Sequence, residues 1–212
     1  MAVATAGHAA ESGLRARKFQ DPDWTVAGEQ RASVGLDSLR TLWFNTGTLC
    51  NITCRNCYID SSPTNDRLVY LSAAEVTSYL DEIARDDLGT VEIGFTGGEP
   101  FMNPDIIPML DAALARGFQV LVLTNGLQPM HRPRIKKGLL GLLASYGDRL
   151  TVRVSLDHYT KVLHEAERGP KTFAKSVEAI DWLSAQGFKT AIAGRTCWNE
   201  VEATERDGYA AL

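Results

Sequence analysis

The feature that most constrains this chain is a recurrence. From Thr41 onward a short apolar run, a polar turn and a helix-like stretch repeat about every thirty residues, the length of a βα unit. The apolar runs are 41–45 (TLWFN), 91–96 (VEIGFT), 118–124 (FQVLVLT), 150–156 and 188–193. They show little alternation, which predicts strands buried in a parallel sheet with helices on its outer face. Between them, Ser72 and Glu75 have capping-box spacing, with Leu71 and Val76 as a hydrophobic staple. Asn103 before Pro104 predicts a second helix start, with Ile107, Leu110 and Leu114 inward and Gly117 at its end. A Leu-rich helix over 132–146 is weakened by Gly138 and Gly141. A helix over 171–186 turns Phe173, Val177, Ile180 and Leu183 inward, and Asn199 with Glu202 reads as the cap of a last helix over 200–211. The fold class is α/β, a partial (β/α) barrel with five βα units visible. Residues 1–17 read as a loose arm, and 21–40, with Trp24, Val26 and Val34, as a packed lead-in. The domain division is therefore 1–40 and 41–212.

Composition removes several function classes. The chain has 212 residues and a net charge of −4, so a broad electrostatic grip on nucleic acid is not expected. Its longest apolar runs are far too short to span a bilayer, and 1–10 lacks a basic start and an apolar h-region. A cytoplasmic protein without membrane or nucleic-acid partners is the expectation.

The strand ends carry the polar chemistry. The first strand runs into a long loop, 46–70, that holds three cysteines. The second ends in Thr96-Gly97-Gly98-Glu99-Pro100, the third in Thr124-Asn125-Gly126, the fourth in Ser155-Leu156-Asp157 and the fifth in Gly194-Arg195-Thr196. In parallel α/β folds this C-terminal edge is where active sites lie.

Of four cysteines, Cys50, Cys54 and Cys57 form CxxxCxxC, while Cys197 stands apart and reads as a buried apolar residue. Zinc sites commonly bring a second ligand pair, which is missing here; His131, His158 and His164 are not at pair spacing with Cys197. A redox dithiol needs only Cys54 and Cys57. Three thiolates in one loop suit a four-iron cluster with one iron left open. The spacing favours the cluster, with zinc and dithiol readings beside it.

Cys50-Asn51-Ile52-Thr53-Cys54-Arg55-Asn56-Cys57, followed by Gly97-Gly98-Glu99-Pro100, resembles the radical S-adenosylmethionine (radical SAM) enzymes over about 41–200. The resemblance implies a 4Fe–4S cluster on Cys50, Cys54 and Cys57, with S-adenosylmethionine on the open iron. It further implies reductive cleavage to a 5′-deoxyadenosyl radical that abstracts hydrogen from a substrate. Gly97, Gly98, Glu99 and Pro100 then form the turn that meets the methionyl amino group. Ser155 and Asp157 match ribose or methionyl positions, Asn125 is a ribose candidate, and Arg195 is a candidate for the methionyl carboxylate. Asn56 stands where the family often has an aromatic or apolar residue, which turns attention to Tyr58 as a cofactor contact. The stretch from His164 to Phe173, with its Arg168-Gly169 pair, resembles one in the peptide- and protein-modifying branch, so a peptide substrate is one class implied. The electron donor implied is a reductase or a flavodoxin-type protein. The family barrel usually has six strands, so this chain is expected to be part of a longer protein. Two other readings stand beside this one: a non-catalytic iron–sulfur remnant, and a structural zinc or thiol-redox protein.

Overall fold

The computed structural model of the chain describes residues 21–212. It divides into two units between Asp37 and Ser38. In the first, Trp24 and Gln30 make an antiparallel bridge, and the Asp21 carboxylate accepts from the backbone of Asp23 and Trp24. The packed lead-in expected here is not found: Trp24 and Val26 are exposed, and Val34 is 95% exposed. Polar backbone bonds, not apolar burial, hold this turn. The loose arm expected over 1–17 lies outside the described residues.

The second unit alternates strand and helix. Strands β1 (Thr41–Asn45), β2 (Glu92–Thr96), β3 (Gln119–Thr124), β4 (Leu150–Ser155) and β5 (Lys189–Ala193) form one sheet in sequential order, every pair parallel. Helices α1 (Ala73–Arg85), α2 (Ile106–Ala115), α3 (Pro133–Tyr146), α4 (Lys161–Arg168), α5 (Phe173–Ala185) and α6 (Glu202–Ala210) complete it. Sequential order with right-handed crossovers places the connecting helices on one face. The sheet is the open α/β arrangement expected of a partial barrel.

The core lies between that face and the helices. Phe44, Phe95, Val122 and Val152 follow one row of the register, and the Phe44 and Phe95 rings stack at 5.5 Å. Ile93, Leu110, Leu139 and Leu183 are fully buried from the helix side, each stabilising the fold by about 1.5–3 kcal/mol. The weak alternation read from the sequence needs correction at β4. There Leu150, Val152 and Val154 are buried while Thr151, Arg153 and Ser155 are half-buried, because only one face is packed by helices.

Helix starts follow the sequence where side-chain chemistry is local. Ser72 and Glu75 close a full capping box on α1. Asn103 behaves differently. Residues Pro100–Met102 form a short 3₁₀ turn, and α2 starts later, at Ile106. The Asn103 carboxamide instead accepts from Asp105 N and donates back to the carbonyls of Thr46 and Leu71. The buried stripe of α2 accordingly begins at Ile106, not Ile107. In α5 the buried positions are Ser176, Ala179 and Leu183. Small residues face inward there because Gly126 packs directly on Ala179 and Ser176. Glu202 opens α6 and pairs with Arg206, while Asn199 sits outside with a φ of 57°. Cys197, expected to be buried, is exposed in the loop between β5 and α6.

Two glycines of α3 separate helix propensity from packing. Nothing lies within 4 Å of a Cβ at Gly141, whereas a Cβ at Gly138 would meet the Ile107 side chain at 2.8 Å. Gly141→Ala is expected to raise the unfolding free energy by about 0.5–1 kcal/mol. Gly138→Ala forfeits that gain to overpacking and lowers the urea midpoint.

Candidate functional site

The C-terminal ends of the strands converge on a cavity of about 240 Å³. Cys50, Cys54 and Cys57 line one side of it. Gly97 and Gly98 follow β2, Asn125 follows β3, Ser155 and Asp157 follow β4, and Arg195 follows β5. Tyr58 stands at the rim, 76% exposed, with its hydroxyl 3.2 Å from Thr96 Oγ1. Ten of the residues singled out from the sequence thus share one cavity, while Glu99 and Pro100 lie behind its wall.

The wall after β2 is main chain. Gly97 has a φ of +138°, and a Cβ on it would lie 2.7 Å from the Gly47 carbonyl. A Cβ on Gly98 would overlap the Leu49 carbonyl. Only glycine admits this approach. The approach lets Gly98 N donate to Gly47 O and Glu99 N to Leu49 O, so the turn is zipped to the start of the cysteine loop. Gly97 and Gly98 thus approach the chain's own backbone on one side and line the cavity on the other.

Glu99 is also turned inward. Its buried carboxylate accepts from Phe101 N at 3.2 Å, Thr124 Oγ1 at 2.8 Å and Asn125 N at 2.8 Å. Burial pushes its pKa up to about 7, against the pull of those donors. The carboxylate joins the ends of β2 and β3.

The cysteine loop is fastened from the opposite side by α4. Arg55 N donates to the Glu167 carbonyl at 2.8 Å. The Asn56 carboxamide donates to both oxygens of Glu167, at 3.0 and 2.8 Å, and the Asn56 carbonyl accepts from Arg195. Asn56, out of place as an aromatic, is therefore a tether. Helix α4 (Lys161–Arg168) overlaps the stretch from His164 to Phe173, which the sequence presents only as a resemblance to the peptide-modifying branch and not as a helix. Its signal was the Arg168-Gly169 pair, since Gly169 closes the helix at a φ of 92°.

Arg168 is the site residue that sequence reasoning did not single out. It lines the cavity and grips Asp157 with two parallel bonds, Nε to Oδ2 at 2.8 Å and Nη2 to Oδ1 at 3.0 Å. Arg195 Nε adds a second ion pair at 3.3 Å. Asp157 is 2% exposed, so this is a buried, doubly paired carboxylate. Its backbone N donates to His164 Nδ1, which fixes that ring as a neutral tautomer, and burial pushes His164 down to about 4.

The thiols can be tested against the alternatives. Burial pushes Cys50 up to about 12 and also raises Cys54, in spite of the nearby Arg168. A redox dithiol needs a lowered pKa. Among the described residues, no group of three His, Cys, Asp or Glu side chains is placed to hold a single metal ion. Three thiols on one side of a cavity fit a cluster in which each would bind a different iron, whose positive charge would favour their thiolate forms.

Comparison with known proteins agrees with this geometry. The family model for the radical SAM superfamily matches residues 44–200. The subtilosin biosynthesis protein AlbA of Bacillus subtilis is 33% identical over 145 residues, 68% of this chain and 30% of that protein. The mycofactocin maturase MftC of Mycobacterium ulcerans is 33% identical over 157 residues, 74% of this chain and 40% of that protein. In fold, the chain is similar to Streptococcus suis SuiB bound to S-adenosylmethionine, with a TM-score of 0.64 and 19% identity over 82% of this chain and 37% of that one. It is also similar to methylornithine synthase (PylB), with a TM-score of 0.59 and 16% identity over 81% of this chain and 50% of that one. The chain belongs to the radical SAM superfamily of enzymes, whose cofactors are a 4Fe–4S cluster and S-adenosylmethionine. It spans 30% and 40% of the length of the two curated relatives.

Two measurements test the scaffold of the site. Asp157→Asn leaves Arg168 without its charge partner and is expected to cost about 3 kcal/mol in chemical denaturation. Glu99 has a folded pKa raised from 4.5 to about 7, so its contribution is fully present below pH 4.5 and is lost as pH rises toward and through 7. Across that window the urea midpoint of the wild type should fall relative to that of Glu99→Gln, whose own stability lacks this slope.

Proposed function

We propose that Cys50, Cys54 and Cys57 each ligate one iron of a 4Fe–4S cluster, and that the cavity beside them receives S-adenosylmethionine. When bound, the pair supplies one-electron cleavage of a sulfur–carbon bond and a 5′-deoxyadenosyl radical that takes hydrogen from the substrate. The single observation that carries this reading is that all three thiols line the same cavity as the strand-end residues.

The chain's own residues hold and orient. Arg55 and Asn56, through Glu167, fix the loop so that the thiols face the cavity. Gly97 and Gly98 present main-chain polar groups on the methionyl side. Ser155 borders the cavity at the end of β4, within reach of ribose hydroxyls or the methionyl group. Asp157, engaged by two arginines, serves by placing Arg168 and Arg195, and these cations would pair with the methionyl carboxylate when the cofactor is bound. Tyr58, at the rim of the cavity, would cover the adenine when the cofactor is bound. Glu99 and Pro100 act from behind the wall by fixing the turn. Asn125, a ribose candidate from sequence, lines the same cavity and donates its carboxamide Nδ2 toward Asn51 Oδ1 and Cys50 Sγ.

A peptide is the substrate class we favour. AlbA is named for bacteriocin biosynthesis, MftC as a maturase, and one SuiB structure holds a precursor peptide. A reductase or flavodoxin-type protein would deliver the electron. Among the described residues no helix is long and apolar enough to cross a membrane. All four thiols are free, which suits a reducing cytoplasm.

Anaerobic reconstitution should give close to four irons and four sulfides per chain, and Cys54→Ala should lose most of that iron. Addition of S-adenosylmethionine and dithionite should release 5′-deoxyadenosine. A full cluster that releases none would overturn the catalytic reading, and stoichiometric zinc without sulfide would overturn the cluster itself.

A further inference from the structure

Asn125 has each of its polar groups assigned. Its backbone N donates to Glu99 Oε2 at 2.8 Å, and its carbonyl accepts from Ser176 Oγ at 3.0 Å. Its side-chain Oδ1 accepts from Leu127 N at 2.9 Å. That last bond settles which way the carboxamide points, because a backbone N–H requires the oxygen on its side. Nδ2 therefore faces the cysteine loop with two protons. Two acceptors wait there: Asn51 Oδ1 at 2.8 Å and Cys50 Sγ at 3.8 Å. Both Asn125 and Cys50 are buried, so water does not compete for the sulfur.

The three sulfurs are not equivalent. Cys57 Sγ accepts from the backbone N of Ser61 at 3.3 Å, a bond no side-chain change removes. Cys50 is served by a side chain. Hydrogen bonds to a cluster's sulfurs stabilise its more negative, reduced state and so raise its reduction potential. Asn51 Oδ1 lies 4.0 Å from the same sulfur with its negative end toward it, and acts in the opposite sense.

We infer that Asn125 is a redox-tuning residue, whose Nδ2–H···Sγ bond to Cys50 makes the cluster easier to reduce, with Asn51 as its opponent. The inference rests on Cys50 being a cluster ligand. The electron comes from a chemical reductant or a protein donor; one electron enters the cluster, and no bond or proton is exchanged at Asn125.

The test is a mediator-poised redox titration of the reconstituted full chain, followed by EPR of the reduced cluster. Asn125→Ser keeps a side-chain oxygen for Leu127 N but cannot reach Cys50. Its reduced-to-oxidised ratio at a fixed potential should fall about tenfold, a shift of about 59 mV to the negative for a one-electron couple. An Asn125→Ser protein with a full cluster and the wild-type potential would overturn the inference. Should that variant fail to hold its cluster, the titration of Asn51→Ala decides: a positive shift supports the inference and an unchanged potential overturns it. Wild-type protein that takes up no iron and sulfide would instead sink the ligand assignment, an outcome read before any titration.

Discussion

A buried ion pair organises this molecule. Asp157, at the end of β4, is held by Arg168 from the last turn of α4 and by Arg195 from the end of β5. Its attraction alone would barely offset the cost of taking these charges out of water. What it secures is position. With Arg168 fixed, the adjacent Glu167 is fixed, and Glu167 holds the cysteine loop through Arg55 and Asn56. With Arg195 fixed, the Asn56 carbonyl has its partner too. A loop that would otherwise wander is set against three strand ends by charges that cannot separate cheaply.

The opposite wall is organised by a second buried carboxylate, and the contrast between the two is informative. Asp157 has two cations to balance it. Glu99 has only neutral donors, and burial pushes it up to about 7. The first carboxylate sets electrostatics at the cavity, while the second sets shape, joining the ends of β2 and β3 through Thr124 and Asn125. Two acidic residues that look alike in the sequence thus do different physical work.

Much of the fold was legible because its causes are local or periodic. Five apolar runs at βα spacing lie where the strands lie, and the Ser72–Glu75 box needed no tertiary knowledge. Strict alternation in β4 and the small inward face of α5 were not legible, since both depend on what packs opposite. The same division holds for the site. Cys50, Cys54 and Cys57 announce themselves by spacing. Arg168 does not, because its importance comes from a carboxylate eleven residues away that only the fold brings into contact. Glu99 spends its carboxylate on Phe101, Thr124 and Asn125, and no sequence pattern shows which partners a folded chain will give a buried side chain. Asn56 looked like a missing aromatic and is a tether for the same reason.

The glycine turn after β2 has a consequence for how such a site could diversify. Its surface toward the cavity is main chain, locked by steric contact with Gly47 and Leu49. A surface without side chains has its shape set by the backbone, so a substitution at Gly97 or Gly98 would break the turn before it could reshape the cavity. Side chains enter the cavity surface elsewhere, as at Ile52, where size and polarity are set by the residue and not by the main chain. One cavity thus has a wall shaped by main chain and a wall shaped by side chains.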